Sequence, residues 1–300
     1  MNNPTDNSVK IIMERGKIWN IDELPEKSIA IDGSVMGPVI DNLNKKYSFD
    51  HHGNCIRHVS SATCVQVLDA ILLDFNPDGY TIYINDVDGD TVLAAAILLK
   101  PELAKNNYVQ DIVRTIGIID SHGASYPLQE KAETDYKIFM NNVVDKVFQL
   151  KKEKKYGEAD LEELLSHCIN KFEQMVEGKF KDYQEQQEIS PVYELIPETN
   201  SDWIMIKTST YNIFNQLYTK GYKKIIVWDK MPDGSYSYSI AKKSEFIDFP
   251  VKDILSKLNE IEPGWGGGST IGGSPRNLNG SRSNLEPQKI IEIVNQVLAN

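Results

Sequence analysis

Paired cysteines, long apolar runs and an excess of basic residues are all missing from this chain, and each absence narrows what it can be. The three cysteines (Cys55, Cys64, Cys168) are odd in number and show no CxxC spacing, which favours a reducing, cytoplasmic setting over a disulfide framework. No apolar run reaches the roughly 18 residues of a membrane span. The opening MNNPTDNSVKIIMERGKIW lacks the basic-then-apolar layout of a secretory leader. Lysine and arginine total 32 against 43 acidic residues, a net charge of −11. That balance argues against a broad surface for long double-stranded nucleic acid, though not against a local basic pocket for a small anion. Histidine is scarce as well: there are five, yet two stand side by side in FDHHGN (49–54), directly behind Asp50.

The rest is ordinary globular material, 41% hydrophobic and 25% charged over 300 residues, enough for two domains. SIAID (28–32), KYSFD (46–50), TIYIND (81–86) and TIGIID (115–120) read as short buried strands, each ending on an aspartate. SSATCVQVLDAILLDF, with Ser60 or Ser61 as its cap, and the alanine-rich DTVLAAAILLKPELA carry helical periodicity. Strands alternating with helices predict an α/β fold over residues 1–130, with a largely parallel sheet buried on both faces. In such sheets ligands sit beyond the carboxyl ends of the strands. Residues 131–195 are charge-rich and read as a solvent-lined helical connector, with Pro191 and Pro197 marking its end. Residues 196–300 read as a smaller α/β domain that includes the glycine-rich loop GWGGGSTIGGSPR (264–276).

The candidates for chemistry are Asp32, Asp50, His51, His52, Asp86, Asp88, Asp90, Asp120 and His122. Any single aspartate after a strand is more often a helix cap or turn former. Jointly, four acid-bearing strand ends should meet along one sheet edge, where so many carboxylates repel one another unless a cation joins them. A divalent metal that activates water needs this mixture of hard oxygens and imidazoles drawn from several elements. Manganese suits the mixed set, with magnesium or zinc as alternatives. DVDGD (86–90) also opens like a calcium loop, but the glutamate required at its twelfth position is Ile97. In the glycine loop, Gly266, Gly267, Gly268, Ser269, Gly272 and Gly273 belong to a stretch, Pro263 to Ser283, with no acidic residue and two arginines, Arg276 and Arg282. Such a run is either a mobile tether or an anion cradle of backbone amides and guanidinium forks. The apolar anchors Trp265 and Ile271 favour the cradle.

At these residues the chain resembles the DHH phosphoesterase superfamily. DHHGN with SSATCVQVLDAIL is similar to that family's third motif, IGIIDSHG to its fourth, IAIDG to its second and DVDG to its first, the Asp-x-Asp-Gly turn. GWGGGSTIGGSPR is similar to the glycine-rich substrate loop of the DHH-associated C-terminal domain. In the family the Asp-x-Asp-Gly motif precedes DHH. Here it follows, which reads as a circular permutation. No histidine precedes DVDG, since residues 83–85 are Tyr-Ile-Asn, and Ser269 stands where many members carry histidine.

The resemblance implies a metal-dependent phosphoesterase or phosphodiesterase that hydrolyses short oligonucleotides, cyclic dinucleotides or related small phosphate esters. Two ions, manganese first among them, would activate the attacking water. By the resemblance Asp32 bridges the ions, His51, Asp86, Asp88 and Asp120 complete their shells, and Asp90 and His122 are spare ligands. His52 contacts the phosphoryl group or protonates the leaving oxygen, and Asp50 orients an imidazole. The glycine loop and its arginines hold substrate. A non-catalytic nucleotide-binding module and a pyrophosphatase-like phosphatase are the alternatives. The expected partner is a small phosphate-bearing molecule, a nucleotide or short oligonucleotide, with no membrane involved. A homodimer is compatible with this reading.

Overall fold

The short runs KIIM, SIAI, VID, KYSF and TIYI become one five-stranded sheet in a computed structural model of the chain. The structure describes residues 9–53, 55–57, 59–123, 126–180, 193–196, 202–210, 213–277 and 281–299. The chain divides into two units, Met1–Glu185 and Gln186–Asn300. In the first, β1 (Lys10–Met13), β2 (Ser28–Ile31), β3 (Val39–Asp41), β4 (Lys46–Phe49) and β5 (Thr81–Ile84) lie in the order β1-β5-β2-β4-β3. β2 pairs in parallel with both β4 and β5, β1 is parallel to β5, and only β3 runs antiparallel, against β4. The register sets Ile31 beside Phe49 and Ala30 beside Tyr83. The carboxyl ends of β2, β4 and β5 therefore share one edge.

Alternation decides what each face of this sheet meets. Ile29, Ile31, Ile82 and Ile84 point into the main core, while Ala30 and Tyr83 pack on the other face with Leu24, Val35, Trp19 and Ile21. The second face is closed by loop residues rather than by a helical layer. The main core is built with α1 (Thr63–Leu72), α2 (Gly89–Leu99), α3 (Asn107–His122), α4 (Glu130–Asn142), α5 (Asp145–Lys152) and α6 (Leu161–Val176). α2 is apolar around its whole circumference and is buried from Asp90 to Leu98, because α1, α3 and α6 all pack on it.

Two readings of the sequence are corrected here. TIGIID is not a strand but the latter part of α3. Val109, Ile112, Val113, Ile116 and Ile119 recur at helical spacing and are buried, and Asn106 caps the helix through the Tyr108 amide. Over 16 residues that period outweighs the β-branched character of six. Residues 131–180 are likewise no solvent-lined connector. Phe139, Val143, Val147, Leu164, Cys168 and Phe172 lie in the first unit's core, so the charge-rich composition conceals a buried stripe. Pro191 and Pro197 lie outside the described residues. No helix among those described is long and apolar enough to cross a membrane.

In the second unit, β6 (Glu194–Leu195), β7 (Ile204–Lys207), β8 (Lys224–Lys230), β9 (Tyr236–Lys242), β10 (Gly266–Gly267) and β11 (Ile271–Gly273) lie in the order β10-β11-β9-β8-β7-β6. All pairs are antiparallel except β7 with β8. α7 (Ile213–Thr219) packs with Ile206 and Ile225, while α8 (Val251–Asn259) and α9 (Pro287–Leu298) enclose Trp203, Tyr238 and Trp265.

Where α3 crosses α1, Gly117 permits the approach: a Cβ there would lie 2.5 Å from Val65 Cγ2 and 3.3 Å from the Ala62 methyl. Gly117→Ala gains about 1 kcal/mol of helix propensity. The overpacking against a stiff β-branched side chain costs about 1–3 kcal/mol. The expected outcome is a net loss in urea denaturation that disappears when Val65→Ala is combined with it. A stabilised single variant would show that α1 and α3 are packed less tightly than this.

Candidate metal centre and a glycine-lined cavity

β2 ends in a left-handed turn, with Asp32 at φ 51°, a conformation aspartate tolerates better than most residues. Its amide donates to the Phe49 carbonyl at 3.0 Å. Its Oδ2 accepts from the Thr91 hydroxyl at 2.8 Å, and Thr63 Oγ1 lies 3.5 Å from Oδ1. β4 ends at Asp50, which is fully buried. Asp50 Oδ2 accepts from the amides of Gly37 (2.7 Å) and Gly53 (3.0 Å). Its Oδ1 accepts from the His52 amide at 3.0 Å and lies 2.8 Å from His52 Nδ1. His51, also buried, has Nε2 at 2.8 Å from Asp120 Oδ2 and 3.7 Å from Asp90 Oδ2. Ser121 Oγ is 3.4 Å from His51 Nδ1.

Asp90 stands in the first turn of α2 and accepts from the amides of Thr63 and Cys64 at 2.8 and 2.7 Å. It thereby does what Ser60 or Ser61 was expected to do. The N-cap residue of α1 is Ala62, with no side-chain bond, and the open amides of the first turn are met by a carboxylate from a different helix.

Two groups of donors result, Asp32–His51–His52 and His51–Asp90–Asp120, each with ligand atoms within 4.8 Å of one another, and His51 belongs to both. Mixed carboxylate and imidazole donors at such separations could hold a metal ion. Three of the expected ligands belong to neither group. Asp86 is half-exposed and accepts from the Tyr156 hydroxyl, with Lys151 Nζ at 3.9 Å. Asp88 caps α2, accepting from the Thr91 amide at 2.9 Å. His122 lies exposed, its Nδ1 3.1 Å from the Ile118 carbonyl and its ring against Tyr126. Asp120 reaches the site from a helix, and a neighbour two residues on points away from what it reaches.

Sequence reasoning missed Tyr156 and Arg57. Tyr156 also accepts from the Val87 amide at 3.0 Å and lies beneath the cations of Arg15 and Lys151. Arg57 Nη2 donates to Asp120 Oδ2 at 3.0 Å and to the Asp120 carbonyl at 3.2 Å, and lies 3.4 Å from His51 Nε2. A signal for it existed: Arg57 is the sole lysine or arginine between Lys46 and Lys100.

The electrostatics divide the acids. Burial, then the carboxylates of Asp88, Asp90 and Asp120, push Asp32 well above the usual range. Burial, Asp120 and Asp88 raise Asp90 to about 6, and burial with Asp120 raises Asp88. Asp50 moves the other way. Burial opposes its ionisation, but hydrogen bonds from His52 and the amides of Gly53, Gly37 and His52 outweigh it and hold the carboxyl far below its ordinary value. Asp120 is also lowered, burial being overcome by His51 and Arg57. The hydrogen bond to Asp50 raises His52.

In the second unit the glycine loop is a built part of the sheet. β10 and β11 form a hairpin on β9, and a Cβ on Gly267 would lie 2.2 Å from Gly272 Cα. Asn259 holds the approach to it, accepting from the amides of Gly264 and Trp265 at 2.8 and 3.0 Å. Ser269 donates to the Glu245 carboxylate. A cavity of about 630 Å³ is lined by Gly266, Gly267, Gly272 and Gly273 with Arg276 and Arg282. Burial and the neighbouring Arg276 lower Arg282. Among the described residues neither guanidinium has a carboxylate partner, an arrangement suited to an anion. Gly268 and Ser269 do not line this cavity. Compared with known proteins, the chain matches no family model and no curated protein.

Asp90 binds its proton more tightly folded than unfolded. Its contribution to stability is thus fully present below the unfolded value of 3.8 and is lost as pH rises through about 6. Asp32 and Asp88 act in the same sense. Asp50 and Asp120 contribute above the ordinary carboxylate range and are lost on stronger acidification. Protein held in chelator should therefore be more stable at about pH 5 than at about pH 8, by on the order of 1 kcal/mol from Asp90. Urea denaturation across that range checks it, and a flat profile would contradict the carboxylate assignment.

Proposed function

We propose that this chain is a metal-dependent phosphoesterase acting on small phosphate esters, with short oligonucleotides and cyclic dinucleotides as the leading substrates. One observation carries the reading: two three-donor groups of aspartate and histidine share His51 at the carboxyl edge of a largely parallel sheet. Asp32, His51 and Asp120 would hold one or two divalent ions, manganese before magnesium or zinc, with Asp90 between its helix-capping duty and the ion. Bound ions of this kind supply positive charge that acidifies water and neutralises a phosphoryl group.

The chain's own groups do the rest. Asp50 stays ionised and takes the His52 Nδ1 proton as a hydrogen bond, which fixes the ring and leaves Nε2 as its free nitrogen. His52 is raised and its side chain is 37% exposed, so it retains a proton to higher pH at a place substrate can reach. We assign Nε2 the protonation of the leaving oxygen. Arg276 and Arg282, in their glycine-lined cavity, would bind a phosphate.

A non-catalytic nucleotide-binding module is the second reading, favoured by the engagement of Asp86 with Tyr156, which removes one carboxylate from the donor set. A pyrophosphatase-like phosphatase would share every residue named. Incubation with Mn²⁺ and a panel of di- to pentanucleotides, cyclic dinucleotides and pyrophosphate separates the three, and no turnover on any member would leave the binding module.

Two variants test the parts. His51→Ala removes the donor common to both groups. Bound Mn²⁺, measured by elemental analysis, should fall to background, and turnover should drop at least about a hundredfold, with the circular dichroism spectrum retained. Retention of two ions would dismiss the shared-ligand geometry. Arg276→Ala should raise KM and leave metal content unchanged. Unaltered kinetics would return the glycine hairpin to a structural role.

A further inference from the structure

Of all cations in the first unit, Arg57 occupies the position hardest to explain as surface decoration. Its Nη2 stands 3.0 Å from Asp120 Oδ2 and 3.4 Å from His51 Nε2, two of the three donors of the His51–Asp90–Asp120 group. Asp120 Oδ2 also lies 2.8 Å from His51 Nε2, so one oxygen serves both nitrogens. The guanidinium touches the group through Nη2 alone. Among the described residues Nη1 and Nε have no acceptor. The side chain is 46% exposed, free to turn about its long stem. No other lysine or arginine occurs between Lys46 and Lys100, a stretch holding Asp50, Asp86, Asp88 and Asp90.

These facts set up a competition. A divalent ion taken up by His51 and Asp120 would sit within a few ångström of Nη2, and two cations at that separation repel strongly where water is scarce. The guanidinium must then leave Asp120. Its three nitrogens, planar and matched to phosphate oxygens, would then be open to a phosphoryl group arriving at the ion. We infer that Arg57 is a resident counter-ion of the His51–Asp90–Asp120 group that competes with a divalent ion for it and, once displaced, binds the substrate's phosphoryl oxygens. This rests on the metal-dependent reading above, and it assigns to Arg57 a role in substrate binding.

The test is isothermal titration of Mn²⁺ into the full chain, wild type, Arg57→Ala and Arg57→Lys, followed by titration of inorganic phosphate into each Mn²⁺-loaded protein. Arg57→Ala should bind Mn²⁺ about tenfold more tightly than wild type, since a competing like charge has gone. The same variant should bind phosphate about tenfold less tightly, because a charge-assisted hydrogen-bond donor is lost. Arg57→Lys should recover part of the phosphate affinity. The opposite signs matter, because a merely structural arginine would weaken both or neither. Unchanged or weakened Mn²⁺ binding in Arg57→Ala overturns the competition, and unchanged phosphate binding overturns the substrate contact. Either result leaves the metal centre standing if wild type binds Mn²⁺. If wild type binds none, the phosphoesterase reading falls, and this inference falls with it.

Discussion

Carboxylates from three parts of the chain converge beside the end of β2, and their mutual repulsion is the constraint to which the rest of the first unit answers. Parallel pairing of β2 with both β4 and β5 puts Asp32 between Asp50 and the turn that carries Asp88 and Asp90. α3 adds Asp120 from the side. Charge of one sign, largely shut off from water, raises the energy of every ionised member. The unit meets this with directed donors. Four hydrogen bonds fall on Asp50, two helix-end amides on Asp90, a threonine hydroxyl on Asp32, and an imidazole with a guanidinium on Asp120.

That distribution sorts the acids by what they have left to give. Asp50 has both oxygens committed to the 36–53 loops and is a positioning group, with its ionised state secured by amides. Asp90 ties α2 to α1 and so fixes the packing of the two helices that stand behind the site. Asp32 and Asp120 carry lighter obligations, a hydroxyl or exchangeable side chains, and keep lone pairs that an ion can use. His51 lies beside them, and among the described residues its ring has no backbone partner. A chain that needed only to bury these residues would have paired them to exhaustion. Here the pairing stops at the residues that face one another.

Much of this was legible before any coordinates. The strands SIAI, KYSF and TIYI are short, bounded and apolar, each expected to end on an aspartate of one sheet edge, so Asp32, Asp50 and both histidines could be set together, although the only helix between these strands is α1, from KYSF to TIYI. Asp120 was legible as a site residue but not on its element, because TIGIID taken alone looks like a strand and only the longer run from Asn106 discloses the 3.6-residue period. Adjacency in sequence misled twice. Asp86 and His122 sit next to residues of the site, yet one is claimed by Tyr156, 70 positions away, and the other faces outward. No local pattern encodes a partner at that separation. The helical segment that supplies Tyr156 reads as solvent-lined because its charged face dominates its composition, while its buried face completes the core.

The two units are opposite in charge logic. The first gathers acids around two imidazoles, with one arginine among them, and its unmet demand is for positive charge. The second sets Arg276 and Arg282 side by side in a glycine-lined cavity, where burial and each other's field depress Arg282. Its unmet demand is for an anion. A protein selected only to fold would lower its energy by placing an acid beside those arginines, and from Pro263 to Ser283 the chain supplies none. Each unit therefore retains an electrostatic cost that a ligand of the opposite sign would relieve.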